Sequence, residues 1–579
     1  MSANQTFRLL SFNTVDAANA DGSSYSQKEF TIQMFGVNES GQTASIFVKG
    51  YNPFFYIKVG DDWTESEKTQ FMAQIEEEVG EQITAAIHST KLIKRKKLYG
   101  FDGGKTYNFI QFNFLNEVAM KKVKGLWYSS VGPSAEYRLK PDGYMFEETS
   151  TILYEAQIPP LIRFFHIKEI SPSGWIELPH NKIKTLTKKT TSCTFEYSIQ
   201  LQDIISLPLK ETRVPYKICS FDIEASSSHG DFPLPVKNYK KLATNIVDIC
   251  KQQNTYTVDL LQQIILTAFG YGDTVVVDNV DKVYPIDAVA NKAQIEKTFA
   301  TWIKIKPANY KTDDAVAEMM ELGMSVSDVL GSSKNNGNSS NKDGGSDSES
   351  DGDAEEEEEE HDEGTAAASD VDKVFNWRSL KAKPKTYKKR GTILDLLTDE
   401  DETRETKLLE LTRTLTATFP QLEGDNVTFI GSTFLRYGDE KPYLNHCIAR
   451  DTCNQIPNAV IESYKTEKEV LLAWTELIQK EDPDIIIGYN IFGFDYQFMY
   501  LRAKELKCER SFLRLSRNKN EICLKRDWRT GREGLEENTL VIASGQHDLK
   551  YAKMTGRLQI DMYNYLRRDY QLTQYKLDY

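Results

Sequence analysis

Asp222 and Glu224 stand two apart at the end of the run Tyr216-Lys217-Ile218-Cys219-Ser220-Phe221. In an extended chain residues i and i+2 leave the same face, so the two carboxylates can share one site. Hydrolysis of a phosphodiester needs water activated near neutral pH and a leaving oxygen whose charge is stabilised, and two divalent ions about 4 Å apart do both. Such hard cations take carboxylate oxygens. Asp-x-Glu after an apolar strand also arises by chance as a solvated strand end, but sites in α/β sheets gather where strands end. A second group lies in Gly488-Tyr489-Asn490-Ile491-Phe492-Gly493-Phe494-Asp495. Asn490 can orient a phosphate or hydroxyl, and Asp495, at the opening of the next helix, offers a third carboxylate. The structural alternative makes Asn490 and Gly493 turn residues and Asp495 a helix acid favoured by the dipole.

These residues need elements to position them. The buried-strand run before Asp222 and the run Asp484-Ile485-Ile486-Ile487-Gly488 each deliver a carboxylate group, and Val427 to Phe434 reads as a further strand. Thr466 with Glu469 makes a capping box for a helix whose apolar stripe is Val470, Leu471, Trp474, Leu477 and Ile478. It ends at Glu481-Asp482-Pro483, and a helix follows from Tyr496 to Leu506. Strand, helix, strand, helix predicts an α/β core over residues 211–579. Residues 1–210 read differently. FRLLSF, EFTIQMFGV, ASIFVKGY and FFYIKVG are short strands between turns, Glu65 to Glu81 is helical, Tyr107 to Phe114 alternates as a strand, and Asn116 to Gly125 is helical, which predicts a mixed α+β domain.

The α/β region is interrupted by an insertion, 246–421. Within it, 330–368 is rich in Ser, Asn, Gly and Glu and cannot bury enough surface to offset its ordering entropy, so a disordered acidic segment is expected. The flanks, Ile246 to Pro307 and Val374 to Gln421, have helical apolar spacing and are expected to elaborate the same domain. Between Asp347 and Glu363 there are 12 acidic residues and no Lys or Arg, so without them the formal charge of −14 becomes −2. The acidic total therefore does not exclude a nucleic-acid partner. Seven cysteines without a Cys-x-x-Cys pair give no zinc site, and Cys219 and Cys250 read as core residues. No 18-residue apolar run and no leader-like N-terminus are present, which predicts an intracellular protein that does not enter a membrane.

The runs FDIEASSSHGDFPLP (Phe221 to Pro235) and DPDIIIGYNIFGFDYQFM (Asp482 to Met499) resemble the first and second exonuclease motifs of family B DNA polymerases. GYNPFFYIKV and YEAQIPPLIRFFHIKEISPSGWIEL resemble the N-terminal domain of the delta type, and GRLQIDMYNYLRRDYQLTQYKLDY (Gly556 to Tyr579) is similar to the same family, in particular the polymerases of giant nucleocytoplasmic DNA viruses. Ile246 to Gln421 departs from the pattern. The resemblance implies a ribonuclease H-like 3′–5′ proofreading exonuclease domain. It implies that Asp222, Glu224 and Asp495 hold two Mg²⁺ (or Mn²⁺) ions, and that Asn490, Phe494 and Phe221 support the bound strand. The implied partners are a single-stranded DNA 3′ end, primer–template DNA, C-terminal polymerase domains in cis or in trans, and a sliding clamp. The implied location is a viral factory in the host cytoplasm or nucleus. The family's third exonuclease motif, Tyr-x-x-x-Asp, is expected beyond Gly556–Asp561, and the chain ends first. The expectation is thus weak or absent hydrolysis by this chain alone and no complete DNA-synthesising site. Two rival readings are a catalytically silent DNA-binding scaffold and one chain of a split polymerase.

Some patterns point less far. Tyr565 and Asp569 fit Tyr-x-x-x-Asp but lie where the family has a connecting helix. Tyr271-Gly272-Asp273-Thr274 is similar to a polymerase metal motif, yet Val275 replaces its second Asp, and a turn is expected. The basic runs Lys91 to Lys97 and Lys381 to Arg390 read as solvated faces, with phosphate contact or targeting as alternatives. The acidic tract reads as solvated, with DNA mimicry or a basic partner as alternatives.

Overall fold

The run that ends at Asp222 and Glu224 is a strand, β1 (Lys217–Ser226). Cys219, Phe221 and Ile223 are buried while Asp222 and Glu224 are exposed, the alternation of a strand covered on one face. The computed structural model describes residues 4–18, 28–97, 103–131, 136–227, 230–272, 277–287, 291–307, 391–527, 531–542, 545–570 and 572–577. Among these, β1 belongs to a six-stranded sheet with β2 (Asn426–Arg436), β3 (Leu444–Arg450), β4 (Val460–Tyr464), β5 (Ile485–Gly488) and β6 (Leu558–Asp561), in the order β4-β3-β2-β1-β5-β6. β1 runs antiparallel to β2, with Asp222 opposite Gly431, and parallel to β5, with Ser220 opposite Ile487. β5 runs parallel to β6, with Gly488 opposite Asp561.

Helix α1 (Glu467–Glu481) starts with both halves of the Thr466–Glu469 capping box in place. Val470, Leu471, Trp474, Leu477 and Ile478 join Cys219, Phe221 and Ile223 in one core. Helix α2 (Asp495–Glu505) follows β5, and α3 (Met562–Asp569) follows β6. A buried ion pair ties these elements together: Arg502 Nη2 is 2.8 Å from Glu467 Oε2, and Glu467 Oε1 accepts the N–H of Val427 at 2.8 Å.

The N-terminal region has the expected mixture of strands and helices, among them the strand Thr106–Phe114 and the helices Glu65–Val79 and Glu117–Lys124. By compactness the chain forms two units. One compact unit is Met1–Pro235 with Asp425–Tyr579, and the other is Val236–Gly424. Long-range bonds join the N-terminal region to the segment after α2: Ser192 N–H donates to the Arg517 carbonyl and Lys519 N–H to the Thr190 carbonyl, both at 2.9 Å. The second unit differs from the expected elaboration of the sheet domain. Its helices Lys240–Gln253, Val258–Ala268, Lys292–Trp302 and Arg404–Thr418 enclose a core of their own around Leu261, Trp302, Leu411 and Phe419. The acidic segment 330–368, the basic run 381–390 and residues 273–276 lie outside the described residues. Cys219 and Cys250 are fully buried, all seven cysteines are free thiols, and no described helix is long and apolar enough to cross a membrane.

Candidate active site

β1 and β5 lie side by side, and their close approach depends on Gly488. A Cβ there would stand 2.9 Å from the Phe221 carbonyl oxygen, a backbone atom that cannot swing away. After Gly488 the chain turns through Asn490, whose φ of 61° is a left-handed conformation that Asn tolerates better than most residues. Its carbonyl accepts the N–H groups of Gly493 and Phe494, both at 3.0 Å. Asp561, at the end of β6, holds this turn from the side. Its two carboxylate oxygens accept the N–H groups of Asn490 at 2.9 Å and Phe492 at 3.0 Å, while also taking Tyr563 N–H at 3.0 Å and Asn564 Nδ2 at 2.8 Å.

The turn delivers Asp495 as the first residue of α2, 2% exposed, against Asp222. Burial, and after it the charge and close contact of Asp222, push the Asp495 carboxyl from 3.8 up to about 7. Asp495 Oδ1 is buried with no hydrogen-bond partner among the described residues, and Asp222 Oδ1 takes the N–H of Ile223 at 3.0 Å. Two carboxylates so placed repel when both are ionised, and either a shared proton or a cation relieves the repulsion. The donor set, all oxygen with an unpartnered buried lone pair, fits a hard divalent ion. Glu224 leaves the same exposed face of β1 as Asp222, two residues further along the strand. Among the described residues no group of three or more His, Cys, Asp and Glu stands in metal-holding geometry. The register between β1 and β2 shifts directly after Glu224, where Thr428 is the extra residue and its hydroxyl donates to the Glu224 carbonyl at 3.0 Å. Such irregularities re-aim side chains next to sites.

The sequence model "DNA polymerase family B, exonuclease domain" matches residues 151–287 and 407–579, the two stretches that flank most of the insertion. The chain belongs to the family B DNA polymerases. It is similar to the DNA polymerase of Phaeocystis pouchetii virus, 40% identical over 99% of this chain and 54% of that protein. It is also similar to the DNA polymerase of Pyramimonas orientalis virus, 27% identical over 100% of this chain and 41% of that protein. The DNA polymerase delta catalytic subunit of Bos taurus is 36% identical over 28% of this chain and 14% of that protein. The chain thus spans about half the length of the first two relatives.

The other expected site residues of the exonuclease domain fall in three places. Asn490 packs its side chain over Gly493, where any Cβ would collide with it. Phe494 is half-buried, edge-on to Phe232 at 5.5 Å and beside Phe498 at 5.3 Å. Phe221 packs its ring into the core, 4.9 Å from Trp474 and 5.4 Å from Tyr496, where it supports β1 from behind, and it also borders the cavity beside Asp222. Two residues were not singled out by sequence reasoning. Phe232 is 71% exposed, and its signal was a lone aromatic in a Gly, Asp and Pro-rich loop. The other is Asp561, whose partners are backbone groups some seventy residues earlier. A cavity of about 550 Å³ opens beside Asp222, bordered by Ser220, Gly488, Tyr489, Leu566 and Tyr575. Tyr565 and Asp569 lie on α3, with Asp569 held by Arg568 at 2.8 Å, as a connecting helix would have them.

Proposed function

We propose that this exonuclease domain removes nucleotides from the 3′ end of a single-stranded or frayed DNA strand, as the proofreading part of a family B polymerase. The apposition of Asp222 with the buried Asp495 carries the reading. In it, Asp222 and Asp495 hold Mg²⁺ or Mn²⁺, and Glu224, on the same strand face, is the further ligand. When bound, the ions supply charge stabilisation at the scissile phosphate and acidify water there. The rest falls to the chain's own groups. Phe494 and Phe232 present ring faces on which an unpaired terminal base stacks, which requires a single strand because paired bases have no free face. Asn490 offers a hydrogen bond to the strand, Asp561 fixes the turn that carries it, and the cavity beside Asp222 has room for the terminal nucleotide. The partners that follow are a primer terminus and the polymerase domains of the family, in the same chain or another.

The test is release of nucleoside monophosphates from 5′-labelled single-stranded DNA by the full chain with Mg²⁺. The expected result is weak shortening from the 3′ end that EDTA stops and that Asp222→Ala and Asp495→Asn abolish. Digestion that survives both substitutions sinks the reading. A silent DNA-binding scaffold is the second reading. It predicts DNA binding that weakens steeply with salt and no metal-dependent release.

A further inference from the structure

The carboxylate pair draws on the far half of β1 and the turn after β5. Where β1, β5 and β6 begin, other charges are buried. Arg517 is fully buried and Arg557 is 5% exposed. Arg517 Nη2 lies 2.7 Å from Asp484 Oδ1 and its Nε 3.3 Å from Asp482 Oδ1, and Arg557 Nη1 lies 2.8 Å from that same Asp482 oxygen. The two positive and two negative groups depend on one another, because any one left alone in the interior would be an unpaired charge. Arg557 Nε also donates to the Leu515 carbonyl at 2.9 Å, and Arg517 Nη1 to the Gly556 carbonyl at 3.2 Å. Asp484 extends the set to β1, taking the N–H of Lys217 on Oδ2 at 2.8 Å. The N-terminal region closes it, since the Ser192 hydroxyl donates to Asp482 Oδ1 at 3.1 Å.

β6 needs such an anchor. A strand's register is set firmly where one of its faces is buried. β6 has four residues, it is the last strand of the sheet among the described residues, and of its side chains only Asp561 is buried, with Leu558 exposed. Apolar burial therefore does not fix its height against β5. A slip of one residue would turn Asp561 to the opposite face and leave the N–H groups of Asn490 and Phe492 without their acceptor. Arg557 stands directly before β6, and its guanidinium grips Asp482, in the link between α1 and β5. A lysine there would keep the charge but act as a single point, where the guanidinium bonds a carboxylate and a carbonyl in two directions at once. We propose that Arg557 is a positioning residue for the carboxylate site: anchored by Asp482 and Arg517, it sets the register of β6 on β5 and so the height of Asp561 beside the turn that carries Asn490 and Asp495. It acts from ~13 Å away, the rise of the strand between Arg557 and Asp561. Its part in nucleotide release rests on the exonuclease reading, and its part in holding the turn does not.

The experiment compares the full chain with three variants. Arg557→Lys keeps the charge, Arg557→Met keeps most of the length, and Ile46→Ala opens a hole in the separate N-terminal core as a control for lost stability. Amide hydrogen exchange, followed by mass spectrometry over residues 488–495 under native conditions, reads the turn without DNA or metal. In both Arg557 variants the amides of Asn490 and Phe492 should exchange about tenfold faster, the scale of one charge-assisted hydrogen bond lost, while Ile46→Ala leaves them at the parent's rate. Nucleotide release with Mg²⁺ should then fall in kcat in Arg557→Lys, with the KM for oligo(dT) unchanged. If Arg557→Met does not fold, Arg557→Lys decides alone. Amides as protected in a folded Arg557→Lys as in the parent would overturn the proposal. So would amides freed to the same extent by Ile46→Ala at an equal loss of Tm, because the effect would then be general loosening. A parent that releases no nucleotides, with turn amides freed only in the Arg557 variants, would count against the exonuclease reading and support the register lock, so the two failures are distinguishable.

Discussion

Asp495 is a carboxyl placed where it is costly to ionise. Its pKa is pushed from 3.8 to about 7, by burial first and by Asp222 second. Between those two values the folded chain keeps a proton that the unfolded chain has released. Stability from this group is therefore intact below about pH 4 and falls as pH rises toward 7, where the loss levels off. A shift of this size corresponds to a loss on the order of 4 kcal/mol at the top of the range. Asp495→Asn removes the charge while keeping the shape, so it should raise Tm near pH 8 and change it little near pH 4. Mg²⁺ should raise Tm near pH 8 in the parent and not in the variant. Calorimetry at the two pH values decides the matter. A variant less stable than its parent near pH 8, where the repulsion is greatest, would mean that the Asp222–Asp495 contact is not the source of strain, and with it the best reason to expect a cation there would go. Trading stability for a charged site is a common cost of function.

At the scale of elements, the site is a turn between β5 and α2 held by the end of β6. Asp561→Ala would leave the N–H groups of Asn490 and Phe492 without their acceptor in a 3%-exposed position, a loss on the order of 1–3 kcal/mol for each group stranded. The expected outcome is a lower Tm together with slower nucleotide release, while Asp561→Asn, which keeps one acceptor oxygen, should recover part of both. A variant that loses stability but releases nucleotides at the parent's rate would show that Asp561 supports the fold without positioning the turn. Asp222, Asp495 and the elements under them were legible in the sequence because each is announced locally: a period-two run before Asp222, a capping box and a 3.6-residue stripe on α1, a short apolar run before Asn490. Asp561 was not, because a carboxylate that serves distant backbone groups leaves no periodic trace. Phe221 could have been placed by alternation alone. If Asp222 and Glu224 face outward on β1, the residue between them and the one before Asp222 must face the core. The register shift of β1 against β2 directly after Glu224 was not readable either, since only the pairing of the two strands reveals it.

At the scale of the whole molecule, sequence composition located the insertion but misjudged its standing, because helical spacing says that a face will be buried and not against what. Contacts between the N-terminal region and the sheet domain were hidden for a related reason: the bonds that join it to Arg517 and Lys519 connect residues more than three hundred apart. The same logic makes the insertion separable. Asp425 N–H donates to the Leu234 carbonyl at 2.8 Å and Leu234 N–H to Asp425 Oδ2 at 2.9 Å, so the first unit brings together the two points where its chain leaves and returns. Within the second unit the Tyr239 hydroxyl donates to the Pro420 carbonyl at 2.7 Å, so that unit ties its own ends as well. Loop length matters little between ends already so held, since each doubling of a loop costs only about 0.6 kcal/mol. Replacing Val236–Gly424 with a short Gly-Ser turn should therefore leave a folded first unit whose Tm lies within a few degrees of the matching transition in the full chain, with the nucleotide release of the parent retained. Val236–Gly424 expressed alone should unfold cooperatively on heating. If the excised chain is unfolded, or the isolated insertion melts without a transition, the two cores depend on each other and the division into units does not hold.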